Sequence, residues 1–342
     1  MTRANRLPLL VWIVVGAGFV GLLAGPGRAP AQEQQEKFTN LKVFPKDVSP
    51  RELRSTMSAF TRALGVRCSY CHVAKPGQPI RHEDFALDDK PEKKTARVMM
   101  QMTRDLNEKY LGTLEDRSDP PIKVQCFTCH HGTAHPRTLQ DALMLSYTKG
   151  GLDSTRARYA SLRDRYYGSA AYDFGEVPLA DVASALADSG HVADGVNLLA
   201  LDVEMNPKSA FAKRQYAAGT VVLAYTEQGP DSGAAVYQRM KDQLGQPRET
   251  EFLIGGIGHR LMTAGKTETA IAAFKLNSAE HPESGDAFAD LGEAYVKHGD
   301  KKLAIESYLK AAALDTASTE VVKQLEQLKV SKSKIAKARG KK

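Results

Sequence analysis

Residues 285–316 read GDAFADLGEAYVKHGDKKLAIESYLKAAALDT. Phe288, Leu291, Gly292, Tyr295, Gly299, Ala304, Tyr308 and Ala311 follow a helix-pair pattern that repeats with a period of 34, as Gly292 repeats Gly258. The earlier set is Ile254, Ile257, Gly258, Leu261, Gly265, Ala270 and Phe274, with Pro282 behind it. Small residues at 258, 270, 292 and 304 let paired helices approach closely, and the large residues fill the gaps between pairs. A weaker copy holds Leu179, Ala183, Gly190 and Pro207, and residues 210–250 fit a degenerate helical hairpin between the copies.

This pattern resembles the tetratricopeptide repeat over residues 177–316, most specifically in its last two copies. The resemblance implies an α-solenoid, whose core is buried only between neighbouring hairpins and whose concave face holds a peptide or protein. A spacer that only docks on the rest of the chain is the plainer reading. The repeat domain is expected over 177–330.

Ahead of the repeats lies different chemistry. The chain of 342 residues has four cysteines, and all fall in two short motifs, RCSYCH at 67–72 and QCFTCHHG at 125–132. On a helical turn, residues i, i+3 and i+4 share a face. Cys68, Cys71 and His72 share one such face, and Cys126, Cys129 and His130 another. Two sulfurs form thioethers to the two vinyl groups of a porphyrin, and the next imidazole reaches its iron. C-x-x-C-H is the mark of c-type haem attachment. A four-cysteine zinc site would leave the two histidines unexplained. Two disulfides would suit an exported chain but not this spacing. Two c-type haems are therefore expected, with His72 and His130 as proximal iron ligands.

A helix precedes each motif. Ser49 and Glu52 form a capping box with Pro50 at the first helical position. Leu53, Met57, Phe60 and Leu64 then make an apolar stripe, and Gly65 ends the helix. Met57 is either an axial ligand or core packing. The second helix, within PEKKTARVMMQMTRDLNEKYLG, is expected to end at Gly112 and offers Met99, Met100 and Met102. Spacing does not choose among these three. A methionine in the sixth position closes the iron and favours electron transfer over small-molecule chemistry.

Residues 38–136 resemble the cytochrome c subunit of photosynthetic reaction centres. FTRALGVRCSYCH (60–72) looks like one unit of that family, and MMQMTRDLN (99–107) with CFTCHHG (126–132) and Pro136 looks like another. The resemblance implies helix–methionine–loop–CxxCH units, Met57 as ligand of the first iron and Met99 of the second, with Met102 as runner-up. Two motifs correspond to half of the family's four haems. The stretch 111–124 has no histidine, and His131 stands where the family has an arginine. A two-haem relative in another electron-transfer chain fits as well as a photosynthetic one. His82, His131 and His135 read as surface or supporting histidines, and Arg62, Arg67 and Lys123 as surface charge.

The chain begins like an export signal. Arg3 and Arg6 precede an uncharged apolar run at 7–25, and APA at 29–31 is a cleavage site. The run is long enough to serve uncleaved as an inner-membrane anchor. Either outcome puts the body in the periplasm, with membrane association in the second case. The net charge is +7, inflated by SKSKIAKARGKK at 331–342, which reads as a basic disordered tail. No nucleic-acid motif and no catalytic triad, phosphate loop or paired-acid motif is present.

The expectation is thus a mainly α chain: a signal or anchor (1–31), a dihaem cytochrome c domain (32–145), a linker (146–176), repeats and tail. Residues 137–176 read as a helix plus that linker, so a chain cut near residue 150 should keep both haems. The function expected is electron transfer between two His/Met haems, not catalysis, with a redox partner protein or membrane complex recruited by the repeats. A dihaem peroxidase with one open iron, or a zinc-bearing repeat scaffold, are the alternatives.

Overall fold

The computed structural model describes residues 38–73, 85–116 and 118–340. The apolar run at 7–25 and His82 lie outside them. No strand occurs among the described residues, and the protein is mainly α. Contacts divide the chain into two units, one of Met1–Ala59 with Cys68–Arg104, the other of Phe60–Arg67 with Asp105–Lys342.

The first helix, α1, spans Pro50–Leu64. Its start follows from the capping residue: the Glu52 N–H donates to Ser49 Oγ at 3.2 Å. Its end follows from Gly65, whose φ of +64° closes the last turn. Helix α2 spans Pro91–Asp105. The regular turns expected to run to Gly112 stop there. A π-turn at Leu106–Tyr110 and a 3₁₀ turn at Leu111–Thr113 carry the chain on. Asn107 accounts for the change. Its side chain donates to the Val124 carbonyl and accepts from the Val124 N–H, both at 2.8 Å, which turns this segment toward the stretch before α3 (Cys126–His130).

Helix α4 runs Leu139–Tyr166, capped by Thr138, with a kink at Gly150–Gly151. Residues 146–176 are therefore not a free linker. Leu139, Leu143, Tyr159, Leu162 and Phe174 are buried in one cluster with Leu179, Val182, Leu186 and Leu198. A cut at 150 would divide α4 and strand its apolar face in water. The cut that respects the packing falls before Thr138.

The remaining helices form antiparallel hairpins. They are α5 (Val177–Asp188) with α6 (Val192–Met205), α7 (Ala210–Leu223) with α8 (Pro230–Met240), and α9 (Pro247–Thr263) with α10 (Thr267–Glu280). Helices α11 (Gly285–His298) and α12 (Lys301–Leu314) follow. The small residues act as the sequence requires. A Cβ at Gly258 would stand 2.4 Å from the Phe274 ring, and one at Gly292 would stand 2.9 Å from the Tyr308 ring. In these two hairpins, then, an aromatic ring of the second helix rests on the backbone of the first. Ile254, Ile257, Leu261, Ala270 and Phe274 share a core with Val221, Tyr237, Leu291 and Tyr295. Three hairpins thus contribute to one continuous interior, the arrangement of an α-solenoid. Ser284 caps α11 and also bonds Glu251 of the preceding repeat.

The C-terminal end departs from expectation. Residues 331–340 are not a disordered tail. After α13 (Thr319–Gln327), Ser331 caps α14 (Lys332–Ala338), Ile335 is buried against the Leu325 and Tyr308 cluster, and Arg339 bonds the Thr316 carbonyl. One buried isoleucine is enough to seat a helix that its lysines make look solvated. Among the described residues no helix is long and apolar enough to cross a membrane.

Candidate functional site

Each motif folds into one helical turn. In the first, the Cys71 and His72 N–H groups both donate to the Cys68 carbonyl, at 3.3 and 3.0 Å. The two thiols and the imidazole therefore leave the same turn. In the second, α3 is built by a capping box in which Gln125 N–H donates to Thr128 Oγ1 at 3.0 Å. Cys126, Cys129 and His130 again share a turn. All four thiols are free, with no disulfide.

The second motif has an oriented imidazole. His130 Nδ1 lies 2.8 Å from the Thr133 carbonyl oxygen. A carbonyl only accepts, so Nδ1 carries the proton and Nε2 keeps its lone pair. This is the tautomer a metal-ligating histidine needs, held by the kind of backbone partner that fixes such rings. Thr133, buried, also donates its hydroxyl to the His130 carbonyl at 2.8 Å. The sequence reading did not single out Thr133. Its signal was position alone, three residues past the histidine.

The first motif is oriented differently. His72 Nδ1 is buried with no hydrogen-bond partner, and the Phe85 ring stands edge-on to the imidazole at 4.9 Å. Burial and the Lys93 charge lower the His72 pKa, which favours the neutral form that binds metal. Burial pushes the Cys71 and Cys126 thiols up. Basic side chains of α2 pin the loop beside the motif. Arg97 grips Asp88 with two bonds of 2.9 and 2.8 Å, and Lys93 reaches the Phe85 and Leu87 carbonyls at 2.9 and 2.7 Å. Arg97, with Asn40 and Lys93 adding to it, holds the Asp88 carboxyl well below the usual carboxylate range.

Met57 on α1 and Met99 on α2 are half-buried, whereas Met102 is exposed. His131 is the left-handed cap of α3, with Nδ1 buried and unpartnered and Phe127 edge-on to its ring. His135, Arg62, Arg67 and Lys123 are exposed.

The donor set fits a covalently bound haem, and so does the packing around it. Among the described residues of 38–136, only Val48, Ala63 and Thr133 are buried. Meanwhile Phe85, Val98, Met102, Tyr110, Ile122 and Phe127 are each at least 42% exposed. A segment of this length with almost no protein core and a strongly apolar surface lacks an interior component. Porphyrins attached at the two motifs would supply it.

Comparison with known proteins agrees with this chemistry. Residues 25–161 match the family of the photosynthetic reaction centre cytochrome C subunit. The photosynthetic reaction center cytochrome c subunit of Rubrivivax gelatinosus is 27% identical across 39% of this chain and 45% of its own length. Cytochrome c-554 of Chloroflexus aurantiacus is 38% identical across 20% of this chain and 14% of its own. The chain spans less than half the length of these relatives. The crystal structure of MamA protein aligns with 56% of this chain and 94% of its own, at 17% identity and a TM-score of 0.29. That similarity is too low to add to the helix packing described above. The N-terminal segment is thus similar to the reaction centre cytochrome C subunit, a c-type cytochrome family.

Proposed function

We propose that the chain is a periplasmic electron carrier with two haems, one on Cys68 and Cys71, the other on Cys126 and Cys129. His72 and Met57 would be the axial ligands of the first iron, His130 and Met99 those of the second. The observation that carries this reading is the His130 imidazole, fixed by the Thr133 carbonyl with Nε2 free beside two free thiols. Haem iron supplies a one-electron couple. The protein's part would be to hold the His130 imidazole as the correct tautomer, to offer each iron a thioether, and to surround the ring with apolar side chains. A thioether raises the potential relative to a second imidazole.

The repeats would dock a protein partner, either a redox protein or a membrane complex. Whether residues 1–31 are removed or retained as an anchor decides only how the carrier is held near the membrane.

The test is an intact-mass and visible–near-infrared measurement on chain matured in an exporting host. Two haem masses per chain, with a methionine–iron charge-transfer band, are expected. High-spin iron would turn the reading toward a peroxidase, and zinc without haem would end it. For the repeats, the full chain should co-purify with a membrane or periplasmic complex that a chain ending before Thr138 loses.

A further inference from the structure

His259, Asp290 and Glu293 each bring a donor atom to within 4.8 Å of the others. They belong to two successive hairpins, His259 to α9 and the acids to α11, three residues apart on one face. His259 and Glu293 hold the same place in consecutive 34-residue repeats. Stacking the repeats therefore brings these two side chains together.

The cluster is built, not merely charged. The His259 ring lies edge-on to Phe274 at 5.2 Å, and Phe274 is fully buried on the backbone of Gly258. Its Nε2 stands 3.2 Å from Asp290 Oδ1. Asn277, 1% exposed, brings its Nδ2, and Asp290 its Oδ2, to one space beside Gly255, 3.6 and 3.5 Å from where a side chain there would begin. A glycine at that point leaves the space open. The Asn277 Oδ1 has no hydrogen-bond partner.

We propose that His259, Asp290 and Glu293 bind a divalent transition cation of the zinc class at the junction of these two repeats. One imidazole and two carboxylates are ligands that such an ion accepts, with metal–donor distances of about 2.0–2.2 Å. Tetrahedral geometry then separates donors by roughly 3.3 Å. The His259–Asp290 pair already has this spacing at 3.2 Å, and Glu293 lies within 4.8 Å of both. A fourth position faces solvent, open to water or to a side chain of a docked protein. The site is independent of the haem reading.

The experiment is equilibrium dialysis of the matured full chain against Zn²⁺, with zinc per chain counted by mass spectrometry. His259→Ala and Glu293→Gln are compared with the parent chain. Both positions are exposed, and circular dichroism checks that both variants fold. The expected result is one zinc per chain fewer in each variant at about micromolar free zinc. A zinc-dependent rise in the thermal midpoint should appear in the parent chain only, because the ion ties two hairpins together. Equal zinc counts in parent and variants would overturn the proposal, whatever zinc the cysteines hold. So would folded variants that keep the zinc-dependent rise.

Discussion

The main-chain N–H of Gly132 donates to the carbonyl of Ala63 at 2.8 Å. The turn that follows the second motif is thereby fastened to the end of the helix that leads to the first. Gly65 makes the approach tighter: a Cβ there would stand 2.0 Å from the Gly132 oxygen, and its φ is +64°. Gly65→Ala should therefore cost roughly 3 kcal/mol or more, from the backbone clash and the left-handed conformation together. Denaturant unfolding of the matured chain measures it. Stability within about 0.5 kcal/mol of the parent would show that this approach does not matter.

Thr133→Val removes the hydroxyl that bonds the His130 carbonyl, which keeps the Thr133 N–H as its donor at 2.8 Å. A loss of about 0.5–1.5 kcal/mol, that of one hydrogen bond, is expected, with haem still attached. Resonance Raman or the potential of the second haem should also shift, because the ring of His130 is held by the same residue's carbonyl. A loss of stability with no change at the haem would separate the two roles.

Met57→His and Met99→His should each lower the potential of one haem, since imidazole favours the ferric state relative to a thioether. Met102→Ala should leave the charge-transfer band in place, in keeping with its exposure. If Met102→Ala abolishes the band and Met99→Ala spares it, the ligand of the second iron is Met102.

The Asp88–Arg97–Lys93 cluster predicts acid sensitivity. The folded carboxyl is held below its unfolded value of about 3.9. Its contribution to stability is complete above that value and is lost as pH falls through the depressed folded pKa. Asp88→Asn should be less stable at neutral pH, and the two unfolding curves should converge in acid. Parallel curves down to the acid limit would mean that the ion pair contributes nothing, as exposed pairs often do.

Gly258→Ala places a methyl group 2.4 Å from the fully buried Phe274 ring. A cost of about 1–3 kcal/mol is expected, read as a lower midpoint of the repeat transition. Haem content should be unchanged.

The repeats were legible because their signal is periodic. Gly258 with Phe274 and Gly292 with Tyr308 are two readings of one packing rule, 34 residues apart. Helix α1 was legible because Ser49, Pro50 and Gly65 act locally. The π-turn after Asp105 was not, since its cause, Val124, lies 17 residues away from Asn107. Nor was the seating of α14, where one buried Ile335 outweighs a run of lysines. The cysteines and histidines of the two motifs could be named from spacing. The carbonyl that sets the tautomer of His130 could not, because a backbone group has no sequence signature. The cluster of His259 with Asp290 and Glu293 was equally hidden, since it exists only once two hairpins stack.

The scarcity of buried protein side chains among the described residues of 38–136 has a consequence for biogenesis. The repeats are assembled from contacts between near neighbours and can fold as soon as they are made. The preceding segment has too little interior to fold by burial alone, so its order depends on covalent loading. Chain that escapes maturation would therefore be half finished: a protected repeat array attached to a segment without a core. A protease would discard the defective product at its N-terminal half, with quality control written into where the core is missing.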